Sequence, residues 1–248
     1  MAGEMYAVTG EALTDIANAI RSKTGDSAKL SLGEMADSIE GLECGDDTET
    51  IAKLNAVIDR SIVEIRSDAN EIGTYAFYKC SKLTTADFPA VTSIGENAFN
   101  GCSQLTTADF PAVTSISSNV FYSCSQLTTA DFPLVTTIGS SAFYNCSKLT
   151  TADFPAVTSI GENAFYKCSK LNALALRSQS LCSLSNSNAF SGTPIYKGAG
   201  YIYVPSSLLD SYKSATNWST YATQFRALED YTVDGTITGE LDADKIGA

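Results

Sequence analysis

Two ladders of reactive side chains run through the middle of the chain. Aspartates stand at Asp87, Asp109, Asp131 and Asp153, each two residues after a threonine: Thr85, Thr107, Thr129 and Thr151. Cysteines stand at Cys80, Cys102, Cys124, Cys146 and Cys168. A row of carboxylates and hydroxyls suits a basic peptide, a polyhydroxyl glycan or weak calcium. Four like charges about 5 Å apart repel by roughly 0.8 kcal/mol per neighbouring pair in water, and salt lowers this further. That cost is tolerable without a ligand, so a solvated face copied by duplication fits the row equally well. Equivalent cysteines about 4.8 Å apart lie within bridging range, but five side chains pointing in parallel cannot all pair. The total of seven is odd and no C-x-x-C spacing occurs. The reading is of buried, reduced thiols acting as small apolar spacers.

The chain has no histidine, which removes Ser-His-Asp and Cys-His nucleophile pairs and every histidine metal site. Paired carboxylates can serve a glycosidase, but nothing marks one of these as buried or raised in pKa. No enzyme activity, no cofactor and no metal site are expected.

The elements that position both ladders follow from a period. Leu83, Leu105, Leu127, Leu149 and Leu171 are 22 residues apart, and so are Phe77, Phe99, Phe121, Phe143 and Phe165. Ile72 to Ile160 and Pro89 to Pro155 keep the same step, and residues 82–99 and 148–165 are identical. A unit this short cannot bury its apolar positions alone, so it must stack against its copies. In Leu83-Thr-Thr-Ala-Asp-Phe-Pro89, Leu83, Ala86 and Phe88 are taken to point inward, and alternation across the strand then turns Thr85 and Asp87 outward, opposite Ala86 and Phe88. Pro89 ends the strand, Gly95 allows a tight bend, and Ala98-Phe99 is expected to begin a short helical turn closing on Cys102.

The pattern L-x-x-x-x-F-P-x-V-T-x-I-G-x-x-A-F-x-x-C-S-x resembles the BspA-like leucine-rich repeats of bacterial surface and host-interaction proteins, over about residues 61–200. Ala86 departs from the family's usual larger aliphatic residue, and Phe88 is placed to fill that space. The resemblance implies a curved α/β repeat solenoid of 22-residue coils with a parallel sheet, used for binding rather than for chemistry.

Three regions are expected: a helical N-terminal module over 1–60, the leucine-rich-repeat solenoid over 61–200, and a helical C-terminal cap with a tail over 201–248. Leu13, Ile16, Ala17 and Ile20 share a helix face, Ser31 and Glu34 open a second helix, and Ile51, Leu54 and Ile58 share a third. Val63 and Ile65 read as strand residues of a degenerate first coil. After Pro205 an amphipathic helix is predicted, with Ser207 and Asp210 in capping-box spacing. Trp218, the single tryptophan, is assigned to cover the last coil. The tail from Tyr231 reads either as a swapped or intermolecular strand or as disorder. The segment from Leu13 to Leu42 is similar to N-terminal segments of phage and prophage tail-associated proteins of Gram-positive bacteria, and "IYVP...YKSATNWSTYA" is similar to repeat-protein ends in that setting.

The chain carries 28 acidic and 16 basic residues, a net of −12, and residues 1–50 alone account for −8 with eleven acids against three bases. This balance opposes binding to nucleic acid or anionic membranes through a general positive field. No apolar run suits a membrane span, and the start lacks the basic and apolar regions of a signal peptide. The expected role is recognition of a cell-surface protein or glycan by the Thr85–Asp87, Thr107–Asp109, Thr129–Asp131 and Thr151–Asp153 face, at a cell surface, outside the cell or on a virion. The alternative is a structural spacer whose N-terminal helices drive self-assembly. Tyr122, Tyr144 and Tyr166, with Lys148 and Lys170 nearby, form either a second binding edge or neutral surface variation.

Overall fold

The computed structural model describes residues 6–7, 63–66, 70–230, 232–233 and 236–237. The expected N-terminal helices lie outside the described residues.

The 22-residue period becomes a stack of coils joined on three sides. On the first side, parallel strands Glu64–Arg66, Thr85–Asp87 and Thr107–Asp109 pair in register, with Tyr6–Ala7 added at the outer edge. A second group on the same side comprises Thr129–Asp131, Thr151–Phe154, Ala173–Leu176, Tyr201–Val204 and Phe225–Ala227. The second side is a continuous six-stranded row of two-residue strands from Glu71–Ile72 to Ser183–Leu184.

The third side corrects the expected helical turn. Residues 96–101 form consecutive turns rather than a helix, because Asn97 and Gly101 take left-handed backbone conformations, with φ of 59° and 81°. Asn119 and Ser123, Ser141 and Asn145, and Asn163 and Lys167 repeat the pair one coil at a time. Left-handed residues interrupt the helical run of hydrogen bonds and send alternate N–H groups forward. Asn97, Phe99 and Gly101 thus donate to the carbonyls of Ser118, Val120 and Tyr122 at 2.8–3.1 Å. The frequent asparagine and glycine at these positions now has its cause, since both tolerate positive φ better than most residues.

Two phenylalanine columns fill the interior. Phe77, Phe99, Phe121, Phe143, Phe165 and Phe190 stack at 5.1–5.7 Å between ring centroids. Phe88, Phe110, Phe132 and Phe154 stack at 5.5–6.4 Å beside them. All are buried. The second column lies against the first, as in Phe99–Phe110 at 5.5 Å.

One coil departs from the rest and interrupts the expected continuous sheet. No ladder joins Thr107–Asp109 to Thr129–Asp131, and Ala108 is half-buried where Ala86, Ala130 and Ala152 are buried. The same coil carries Ser117 where its neighbours have glycine, and Val120 where they have alanine. At Gly95, Gly139 and Gly161 the backbone N–H reaches the isoleucine carbonyl of the preceding coil at 2.7–2.8 Å. At Ser117 the hydroxyl reaches Ile94 O instead, at 2.6 Å. A Cβ at Gly139 would stand 2.6 Å from backbone atoms of Ser117 and Ser118, so this column has room only for glycine at the usual coil spacing. The added Cβ of Ser117 faces the preceding coil, and there the second strand row keeps only the Ile94–Ile116 pair.

The C-terminal cap is not the expected helical unit. It is built from the two strands Tyr201–Val204 and Phe225–Ala227, short 3-10 turns and a single six-residue α-helix, Leu209–Ser214. The Ser207 capping box does not form, for Leu208 occupies the N-cap with no side-chain bond. Instead Ser206 N–H donates to both carboxylate oxygens of Glu229, at 2.9 and 3.1 Å. Trp218 is buried, sits 5.9 Å from Phe190, and donates from Nε1 to Cys182 O at 2.7 Å, so it does cover the last coil. In the first coil Ile65 is buried but Val63, which falls just before the strand, is 44% exposed. In the tail, Thr232–Val233 and Thr236–Ile237 pair antiparallel within the chain, and that pairing is neither swapped nor intermolecular.

Candidate functional site

Strand alternation brings the threonine-aspartate face together as expected over two separate stretches. Thr85, Ala86 and Asp87 stand in register with Thr107, Ala108 and Asp109. Thr129, Ala130 and Asp131 do so with Thr151, Ala152 and Asp153. The alanines turn into the core, and Thr107, Thr129, Thr151 and Asp109 are exposed. The missing ladder between Asp109 and Asp131 divides the face in the middle.

The expected uniform row of free carboxylates is corrected at both ends. Arg66 is the register partner of Asp87, and its Nε lies 3.3 Å from Asp87 Oδ2. Arg177 grips Asp153 with three charge-assisted hydrogen bonds: Nε to Oδ1 at 3.0 Å and to Oδ2 at 3.1 Å, and Nη2 to Oδ2 at 2.7 Å. The forked guanidinium suits this planar contact. Asp87 and Asp153 are also half-buried, whereas Asp109 is exposed. The arginines escaped the reading of the sequence because they stand in the two imperfect coils; aligning Glu64–Arg66 on Thr85–Asp87 would have placed Arg66 in the aspartate column. Beyond Asp153 the outward positions become Ala173 and Ala175, which pack with Tyr203 in a small cluster of their own. Arg226 lies over the Tyr201 ring at 4.2 Å.

The cysteine ladder is buried and unbridged in all six described cysteines. It is also more than a spacer. Cys102, Cys124, Cys146 and Cys168 each donate from Sγ to the phenylalanine carbonyl of the preceding coil, Phe77, Phe99, Phe121 and Phe143, at 3.0–3.2 Å. Burial pushes the thiols of Cys102, Cys124 and Cys146 far above their ordinary value and that of Cys182 up to about 12. Such thiols are poor nucleophiles. No cluster of three or more potential metal ligands occurs among the described residues.

A second ladder lies on the turn side. The rings of Tyr122 and Tyr144 stack at 4.5 Å with an interplanar angle of 6°, and those of Tyr144 and Tyr166 at 4.9 Å and 17°. Lys167 Nζ lies 5.5 Å from the Tyr166 centroid, and Lys148 Nζ donates to Gln126 Oε1 at 2.6 Å. Partial burial and then the neighbouring Tyr144 push the Tyr122 hydroxyl up from its ordinary pKa.

A solenoid of repeated coils with parallel strand rows and an exposed polar strand face defines a leucine-rich-repeat protein. The model of the BspA type leucine rich repeat region matches in six copies, over residues 59–172 and 92–215, and the chain belongs to that family. Among solved structures, a leucine rich cell surface protein from Faecalibacterium prausnitzii A2-165 is 32% identical at a TM-score of 0.50, the match covering 58% of this chain and 39% of that one. A leucine rich repeat protein of T. pallidum is 31% identical at a TM-score of 0.42, covering 44% of this chain and 53% of that one. The chain therefore spans about half or less of these proteins. Among curated proteins none matches. No helix among the described residues is long and apolar enough to cross a membrane.

Proposed function

We propose that the protein is a non-enzymatic recognition module that binds a protein or glycan on a cell surface through its outward threonine-aspartate face, from a position on a bacterial surface or a virion. The observation that carries this reading is Asp109. It is exposed in the middle of the face, while the carboxylates at the two ends are held by Arg66 and Arg177. Arginine clamps at the ends leave the centre of the face open to an outside donor, flanked by the exposed hydroxyls of Thr107 and Thr129. The resemblance to a cell surface protein supports the setting. A glycan array and a cell-binding screen with the full chain test it. Binding is expected to fall at least tenfold in Asp109→Ala and to persist in Asp210→Ala, which changes an exposed carboxylate far from the face. Equal binding by wild type and Asp109→Ala refutes the assignment of the face.

A further inference from the structure

Between residues 63 and 200 the charges nearly cancel, nine acids against eight bases, yet they are sorted by column. Lys148 and Lys170 are exposed just before the strand, each four residues after a tyrosine of the stack, Tyr144 and Tyr166. Asp109 is exposed at the far end of the strand, and apolar groups follow it at the next corner: Pro111 and Pro133 are exposed, and Leu134 is 51% exposed where the other coils carry alanine.

We propose that the lysine-tyrosine corner of one molecule docks on the aspartate-proline corner of a second copy lying parallel beside it. Two features favour a second copy over an unrelated partner. The corners complement each other in both charge and apolar character, with lysine meeting aspartate and tyrosine meeting proline and Leu134, and tyrosine is favoured at such contacts. They also share one period. Lys148 and Lys170 stand 22 residues apart, as do the exposed Pro111 and Pro133, so contacts made by one coil recur on the next. The two corners are different surfaces, so the contact is head-to-tail and repeats into an open row. The strand faces then lie side by side. The excess negative charge does not forbid this, since −8 of the total −12 falls in residues 1–50, and at about 0.1 M salt the screening length of roughly 10 Å suppresses long-range repulsion while contacts persist.

Sedimentation equilibrium of the full chain tests the proposal. At about 0.1 M salt the mass is expected to rise with concentration above the single-chain 26.2 kDa, and to return to it at about 1 M salt, where screening acts within roughly 3 Å. Asp109→Lys with Leu134→Lys spoils one corner, and Lys148→Glu with Lys170→Glu spoils the other. Each double variant is expected to be monomeric alone, and an equimolar mixture to associate, since each variant supplies the corner that the other lacks. A wild type that stays at the single-chain mass, double variants that still associate alone, or a mixture that forms no complex overturns the proposal. The recognition reading shares only Asp109 with this one, and Lys148→Glu with Lys170→Glu separates them. That variant keeps the strand face intact, so its capture of a surface ligand stands or falls independently of self-association.

Discussion

Raising the pH from 7 to 10 is expected to remove about 6 kcal/mol of folding stability, most of it through four thiols. Burial holds Cys102, Cys124, Cys146 and Cys182 above the ordinary thiol value of 9.0. In the folded chain these groups keep their protons at pH 10, and in the unfolded chain they lose them. A raised folded pKa contributes stability that is complete below 9.0 and is lost as pH climbs from there toward the folded value. One unit above 9.0, each freed thiol favours the unfolded chain by about 1.4 kcal/mol. Four together approach the whole stability of an ordinary domain, about 5–15 kcal/mol. Urea unfolding under reductant, followed by the fluorescence of Trp218, measures this at pH 7, 8, 9 and 10. The unfolding free energy should be level to pH 8 and then fall with a slope approaching four protons. Cys124→Ser should lower that slope by one proton, since a hydroxyl does not ionise here but can still donate to Phe99 O. A stability at pH 10 equal to that at pH 7, or an unchanged slope in Cys124→Ser, refutes the account of the thiols as buried donors.

Gly139→Ala places a Cβ 2.6 Å from the backbone of the preceding coil and should cost about 1–3 kcal/mol, read as a lower Tm. Ser117→Gly should act in the opposite direction, letting the backbone close on Ile94 O as in the other coils, and hydrogen exchange at residues 93–117 should slow. Trp218→Ala opens the last coil beside Phe190 and leaves Cys182 O without its indole donor, with an expected loss of about 3–5 kcal/mol in urea unfolding. Arg177→Ala releases Asp153, which is about a third exposed, so solvent limits the cost to about 1 kcal/mol; added salt should narrow the gap from wild type.

The strand face was legible because alternation over Thr85 to Phe88 sets Ala86 and Phe88 against Thr85 and Asp87, and the phenylalanine takes the inward side. The cysteines were legible as buried because five side chains pointing in parallel cannot all pair and an unpaired cysteine favours the interior, though their bonds to the preceding coil were not, since those depend on the distance between neighbouring turns. Ala98-Phe99 read as helical because alanine, phenylalanine and cysteine fall at helix-like spacing. The left-handed residues at Asn97 and Gly101 override that signal by handing alternate N–H groups to the next coil. The segment before Pro205 read as a short strand and is one, Tyr201–Val204, while the apolar spacing after Pro205 read as a helix that shrinks to Leu209–Ser214 because Phe225–Ala227 extends the strand row, whose open edge offers unpaired backbone groups.

The sequence by itself determined the stacking of coils, because a 22-residue unit has no core until its copies supply one, and it determined which residues face outward, because a strand has two faces. The tertiary structure decided which outward residues are free. Arg66 and Arg177 lie in coils that depart from the repeat, and only folding brings them against Asp87 and Asp153. The looser step at Ser117 likewise arises from contact between coils, where a single added Cβ meets a neighbouring backbone. Of the four aspartates that looked equivalent along the chain, two are held by arginine and Asp109 is exposed at the centre of the face.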